Sequence, residues 1–276
     1  DAIRIKTIEN MMYDALENKE FLVYLQPKYN VATSCIEGAE ALVRWVRDGK
    51  VIPPSEFISI FERNGFIVNM DMYVLEEVCR LQRKWLDMGI HPVPISINQS
   101  KSLVYSKDYV DKLYGVITRY NLPPRLIEVE LLETIIHDNV TELVSIIRQL
   151  RRIGLLICID DFGSGYSSLN MLKDFDVDVL KIDREFLNNA EISERAKYVL
   201  AQIITLAKGL RMVVVTEGVE TEKQAGLLKE LECDTAQGFF YARPMPFDRF
   251  EKLLSASGTE RSFESGRNDQ LNHALT

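Results

Sequence analysis

The sequence predicts an α/β protein, a modified TIM (β/α)8 barrel with one antiparallel strand. Three observations carry this. After Lys19, eight short apolar or β-branched runs alternate with amphipathic stretches as far as Gln237. The link between the first two runs, with Asn30, Thr33 and Ser34, is too short for a crossover helix, so those two strands form an antiparallel hairpin. No Gly-x-Gly-x-x-Gly turn supports the runner-up, an open doubly wound sheet.

In chain order, the first twenty residues read as a helix with Ile8, Met11, Met12 and Leu16 on one face. The strand runs are Phe21–Gln26, Ile36–Trp45, Val93–Ile97, Leu126–Leu131, Leu155–Asp160, Val177–Ile182, Met212–Thr216 and Cys233–Gln237. Among the helices between them, Pro53-Pro54-Ser55 opens one, since proline is tolerated in a first turn. Met70–Met88 carries Val74, Val78, Leu81 and Trp85 as a core-facing stripe. Thr221-Glu222-Lys223-Gln224 matches a capping box and starts another helix at Thr221. There is no internal repeat and no dividing linker. The expected organisation is a helical connector over 1–20, one barrel over 21–254, and a polar tail over 255–276 that is flexible unless a partner holds it.

The 276 residues are 46% hydrophobic and 27% charged, an ordinary soluble balance. A net charge of −8 is the wrong sign for a DNA or RNA duplex binder, so a phosphate substrate would be handled locally, by metal ions and a few arginines. Cys35, Cys79, Cys158 and Cys233 have no metal-finger or C-x-x-C spacing, and read as free thiols in a reducing compartment. No signal peptide and no apolar run of spanning length is present. A cytoplasmic domain is expected, which other regions of a full-length protein could still anchor to a membrane. Asp1 in place of Met suggests a piece of a longer chain.

Catalytic groups of such a barrel sit where strands end and βα loops begin. Read that way, the strands offer Glu40, Asn98, Glu130 with Glu133 beyond, Asp160-Asp161, Lys181 with Asp183, Glu217 with Glu220, and Gln237. One acid after a strand is most often a helix cap or a solvated loop charge, and one lysine is most often a snorkelling surface residue. Recurrence at nearly every strand end is not explained by independent caps. Carboxylates converging on one pocket repel unless a hard divalent cation joins them, and an oxygen-only donor set favours Mg²⁺ or Mn²⁺ over zinc.

These residues resemble the EAL family of cyclic di-GMP phosphodiesterases. The triplet Glu40-Ala41-Leu42 extends to Arg44, and further landmarks follow in order: Gln26-Pro27, Pro53 to Phe57, Ser96-Ile97-Asn98, Glu130-Leu131-Leu132-Glu133, Asp160 to Leu169, Lys181-Ile182-Asp183, Glu217 to Thr221, Gln237-Gly238 and Arg243-Pro244. The triplet alone carries no information, whereas the ordered set is highly specific.

The resemblance implies hydrolysis of cyclic di-GMP to linear pGpG with two Mg²⁺ or Mn²⁺ ions. Glu40, Asn98, Glu130 and Asp160 would hold one ion; Asp160, Asp161 and Glu217 would hold the other, the pair clamping the attacking and leaving oxygens. Lys181, Glu217 and Glu40 are the implied catalytic residues, with Lys181 positioning and stabilising charge. Gln26, Leu42, Arg44, Asp183, Gln237, Arg243 and Pro244 are the implied substrate contacts, Arg44 to a phosphate. Glu133, Phe162, Gly163, Ser164, Gly165 and Glu220 would couple the site to a homodimer interface through the loop after Asp161 and the following helix. The first helix resembles a connector, which implies an N-terminal sensor or GGDEF domain. The sequence departs from the family pattern at Leu132, Gln99, Ser164 and Thr216, none of them a ligand. Two alternatives stay open: a domain that binds cyclic di-GMP without turning it over, and an unrelated metal-dependent barrel acting on carbonyl substrates.

Overall fold

The computed structural model describes residues 2–136, 139–163 and 169–257. Its strands are β1 (Phe21–Asn30), β2 (Ile36–Arg47), β3 (Lys50–Ile52), β4 (Ile95–Asn98), β5 (Ile127–Leu132), β6 (Leu156–Phe162), β7 (Val179–Ile182), β8 (Val213–Thr216), β9 (Thr235–Ala236) and β10 (Met245–Pro246). The helices among the described residues are α1 (Ala2–Glu17), α2 (Pro54–Asn64), α3 (Ile67–Asp87), α4 (Lys101–Val104), α5 (Tyr109–Arg119), α6 (Glu133–Ile136), α7 (Val140–Arg152), α8 (Leu169–Asp174), α9 (Arg184–Ala190), α10 (Glu194–Gly209), α11 (Glu222–Glu230) and α12 (Phe247–Ser257).

Strand β1 pairs with β2 on one side and β9 on the other, which closes eight strands into a barrel. It runs antiparallel to both neighbours, while β2, β4, β5, β6, β7, β8 and β9 are parallel in succession. The direction of β1 follows from its link to β2. The Asn30 side chain accepts from the N–H groups of Ala32 and Thr33, and Ser34 takes a positive φ of 58°, so the chain reverses within a few residues.

All eight expected strands form, the first two running on to Asn30 and Arg47 and the other six starting one or two residues later than expected. The third begins at Ile95 rather than Val93, because Pro94 has no N–H to give to a ladder. Two short strands were not expected. Arg47 pairs with Lys50 across Asp48-Gly49, both at positive φ, and so makes the β2–β3 hairpin. Strand β10 pairs antiparallel with Tyr24 and Leu25 of β1, on the same edge that β9 takes at Tyr29 and Asn30.

The core carries a dense aromatic cluster at one end. Phe21, Trp45, Phe57, Phe61 and Phe66 form one cluster beneath β1, β2 and α2, with ring centroids 4.7 to 6.1 Å apart. The α3 stripe Val74, Val78, Leu81 and Trp85 is buried as expected, and Trp85 stacks on Phe250 of α12. The four cysteines are free, three of them buried. Among the described residues no helix is long and apolar enough to cross a membrane. Helix α12 continues to Ser257; residues 258–276 lie outside the described residues.

Two features fix the loops that carry the site. Gly238, just past β9, lies against the backbone of Val219, where the Val219 N–H donates to Gln237 and its carbonyl accepts from Phe240. A Cβ at Gly238 would overlap the Val219 backbone, which cannot move without breaking both bonds. Gly238→Ala is therefore expected to cost about 3 kcal/mol, read as a lower urea midpoint at unchanged slope.

Asp71 of α3 accepts the Ser100 N–H at 2.8 Å and so holds the loop after Asn98. Burial pushes its carboxyl up to about 7, against the Ser100 hydrogen bonds. The folded chain then keeps a proton that the unfolded chain releases near pH 4, so this group's contribution to stability falls between about pH 4 and 7 and stays low above. Asp71→Asn should gain melting temperature relative to the unaltered chain on going from pH 5 to pH 8. A difference independent of pH would refute that assignment.

Candidate metal centre

The C-terminal ends of the parallel strands bring the expected residues to one place. Lys181 of β7 is 2% exposed and sits among four carboxylates: Nζ is 3.2 Å from Glu40 Oε2, 3.4 Å from Glu130 Oε2, 3.0 Å from Asp160 Oδ1 and 3.2 Å from Glu217 Oε2. An ammonium has three donors, so it cannot satisfy four acids at once. Burial pushes Lys181 down, yet Glu130, Glu40, Asp160 and Glu217 together hold it well above its ordinary value, and it stays charged.

The acids divide. Burial pushes Asp160 up to about 8 in spite of Lys181, and burial likewise raises Asp161 and Glu217. Burial also pushes Glu130 up, but Lys181 and Lys28 outweigh it and hold that carboxyl at about 2. Raised carboxyls mark an acid cluster with too little positive charge. Carboxylate oxygens of Asp160, Asp161 and Glu217 lie within 4.8 Å of one another. The donors are oxygen only, so this set fits a hard divalent cation. Asn98 donates its amide N–H to Glu40 Oε1 at 3.1 Å, which leaves its amide oxygen as a neutral donor.

Adjacent strand residues normally face opposite sides of a sheet. Asp160 and Asp161 share a pocket because β6 is irregular there: the β6–β7 register shifts between Ile159 and Phe162, and Asp161 has a φ of 56°. Gly163, two residues on, is tied back, since its N–H donates to Glu133 Oε2 at 3.0 Å. Gly163, at φ 98°, has the Phe186 ring of α9 where a Cβ would stand.

The other expected residues lie around this cluster. Gln237 donates to Glu40 Oε2 at 2.6 Å and to Gln26 Oε1 at 3.1 Å, and Gln26 donates to the Ala242 carbonyl, just before Arg243 and Pro244. Arg44 is half-buried over the Tyr24 ring, within the field of Glu40; Arg243 is exposed and stacks 4.2 Å from the Phe239 centroid. Leu42 is half-buried opposite Tyr24. Asp183 caps α9 by accepting the Glu185 N–H and also faces Asp161. Phe162 is buried, and Glu220 is exposed with its N–H held by Gln224. Ser164 and Gly165 lie outside the described residues.

Two buried residues were missed. Lys28 and Glu128 meet beneath the cluster, with Lys28 Nζ 2.8 Å from Glu128 Oε1. The signal was available: Lys28 is two residues from Gln26, and Glu128 two from Glu130, so period two places each pair on one face.

The chain is similar to known proteins in sequence and in fold. The signaling protein YkoW of Bacillus subtilis is 37% identical over 89% of this chain and 31% of its own length. The bifunctional diguanylate cyclase/cyclic di-GMP phosphodiesterase MucR of Pseudomonas aeruginosa is 36% identical over 88% of this chain and 35% of its own. The chain thus spans about a third of the length of these relatives. The solved structure of the PaMucR phosphodiesterase in complex with c-di-GMP is 34% identical, covers 88% of this chain and 99% of its own, and superposes with a TM-score of 0.83. The EAL domain pattern matches residues 9–244, and this chain belongs to the EAL domain family.

Proposed function

We propose that this domain hydrolyses cyclic di-GMP to linear pGpG with two divalent cations, Mg²⁺ or Mn²⁺. The observation that carries the reading is the surplus of buried carboxylates around one lysine, with three of the acids close enough to share a cation. Glu40, Asn98, Glu130 and Asp160 would hold one ion, and Asp160, Asp161 and Glu217 the other. Such ions, when bound, supply Lewis-acid stabilisation to the attacking and leaving oxygens of an in-line displacement. The substrate follows from the relatives whose names carry it.

The chain's own groups have separable tasks. Glu217 is the most exposed of the four acids around Lys181, at 23% against 7%, 0% and 8%, so the cluster opens on its side and the substrate phosphate enters there. Lys181, held among four carboxylates, offers an ammonium to charge that builds on the phosphoryl oxygens. Gln237 and Asn98 hold the two oxygens of Glu40. Arg44 and Arg243, each over an aromatic ring, are guanidinium groups for the phosphate and the base at the rim. Leu42, Asp183, Gln26 and Pro244 complete the proposed substrate contacts. We further assign the domain to the cytoplasm, to a protein with an N-terminal sensor or GGDEF domain, and to a homodimer formed through the loop after Asp161 and the helix that follows.

The direct test incubates the purified chain with cyclic di-GMP and Mn²⁺ and follows pGpG by chromatography. Product should form, disappear with a chelator and return with added Mn²⁺; tight binding of cyclic di-GMP with no product would sink the enzyme reading. Glu40→Ala should abolish turnover. Lys181→Met should lower turnover about 10²- to 10³-fold while Mn²⁺ still binds, since it removes transition-state charge but no ligand. Single-turnover rates alongside a Mn²⁺ titration separate these effects.

A further inference from the structure

Below the Lys181 cluster lies a second buried ionic group with no assigned task. Lys28 enters the barrel from the antiparallel strand β1, opposite Gly38 of β2. Its ammonium is fully engaged: 2.9 Å to Ser96 Oγ, 2.8 Å to Glu128 Oε1 and 3.0 Å to Glu130 Oε1. Glu128, Glu130 and the Cys158 thiol come close enough together here to hold a cation, and the lysine fills that place. Burial keeps the Cys158 thiol protonated, well above its ordinary value.

Glu130 joins the two levels. Its Oε1 is taken from below by Lys28, and its Oε2 faces Lys181 above. The side chain is fully buried and faces an ammonium at each oxygen, so it has one way to present itself. We propose that Lys28 is a positioning residue for the metal centre: it fixes Glu130 so that a single oxygen, Oε2, is offered to the cation. The proposal rests on the metal-centre reading above. Outer partners that orient a ligand typically change metal affinity about 10- to 100-fold when removed.

The sign of the effect distinguishes positioning from charge. Loss of a buried ammonium would, by Coulomb attraction alone, tighten binding of a divalent cation; loss of the hold on Glu130 loosens it. The experiment measures Mn²⁺ binding by calorimetry, without substrate, for the unaltered chain, Lys28→Met, Glu128→Gln and the double variant Lys28→Met/Glu128→Gln. The double variant removes one positive and one negative charge together, so the net charge below the site is unchanged and the fold keeps no unpaired acid from Glu128. It should bind Mn²⁺ roughly tenfold or more weakly than the unaltered chain. Glu128→Gln alone loses a buried negative charge and should weaken Mn²⁺ binding less than the double variant does, because its amide oxygen still accepts from Lys28 and Glu130 stays held. At saturating Mn²⁺ the double variant should recover most of its kcat, which loss of fold would not allow.

Unweakened Mn²⁺ binding in the double variant, or equal weakening in Glu128→Gln alone, would overturn the role of Lys28 and leave the metal centre standing. An unaltered chain that binds no Mn²⁺ would overturn both.

Discussion

One ammonium cannot neutralise four carboxylates, and the open end of the barrel is organised around that imbalance. At the separations found here each Lys181–carboxylate pair is worth about 5 kcal/mol for an effective dielectric near 20, and taking each ion out of water costs several kcal/mol in the other direction. The acids also repel one another. A cluster with this surplus does not hold itself together; its backbone positions must be fixed by something else. The closed ring of strands supplies that. Glu40, Glu130, Asp160, Lys181 and Glu217 come from β2, β5, β6, β7 and the end of β8, and each strand is held by ladders on both sides. The aromatic cluster under β1, β2 and α2 and the Trp85–Phe250 contact bury the apolar surface that offsets the cost.

The pocket also needs one departure from regular strand geometry. Two successive acids cannot line one pocket from a flat strand, and Asp160-Asp161 do so only because Asp161 is in the left-handed region and β6 slips its register beside it. That backbone is continuous with Gly163, whose N–H is held by Glu133 and whose lack of a side chain makes room for Phe186. A shift of this loop would therefore re-aim Asp161 before it disturbed any other member of the cluster.

The fold was legible because its signals are local. Eight runs, a short first link and strand-end acids are enough to state a barrel and where its site lies. The missed hairpin was legible too, in Asp48-Gly49, two residues suited to positive φ between β-forming runs. The set around Lys181 could be named from strand ends and from the family resemblance. Its energetics could not, because nothing in a sequence says that four of those acids reach one Nζ. Asp183 shows the opposite limit: a strand-end acid that also serves as an ordinary helix cap. Lys28 and Glu128 are not marked by strand ends, because both lie one pleat further inside the barrel.

The two levels of the barrel interior explain why neighbouring acids behave so differently. Glu130 touches two ammonium groups and is held at about 2; Asp160 touches one and is pushed up to about 8 by burial and its acid neighbours. The same number of carboxylates on a single level would leave all of them competing for Lys181. By giving Glu130 a second cation from below, the barrel divides its site into a fixed side and a responsive side. The fixed side is Glu130, locked between lysines and nearly sealed from water. The responsive side is Asp160, Asp161 and Glu217, which are more open and lie next to the loop that Glu133 restrains. Any control acting through that loop can then alter charge and geometry on one side of the site while the other keeps its place.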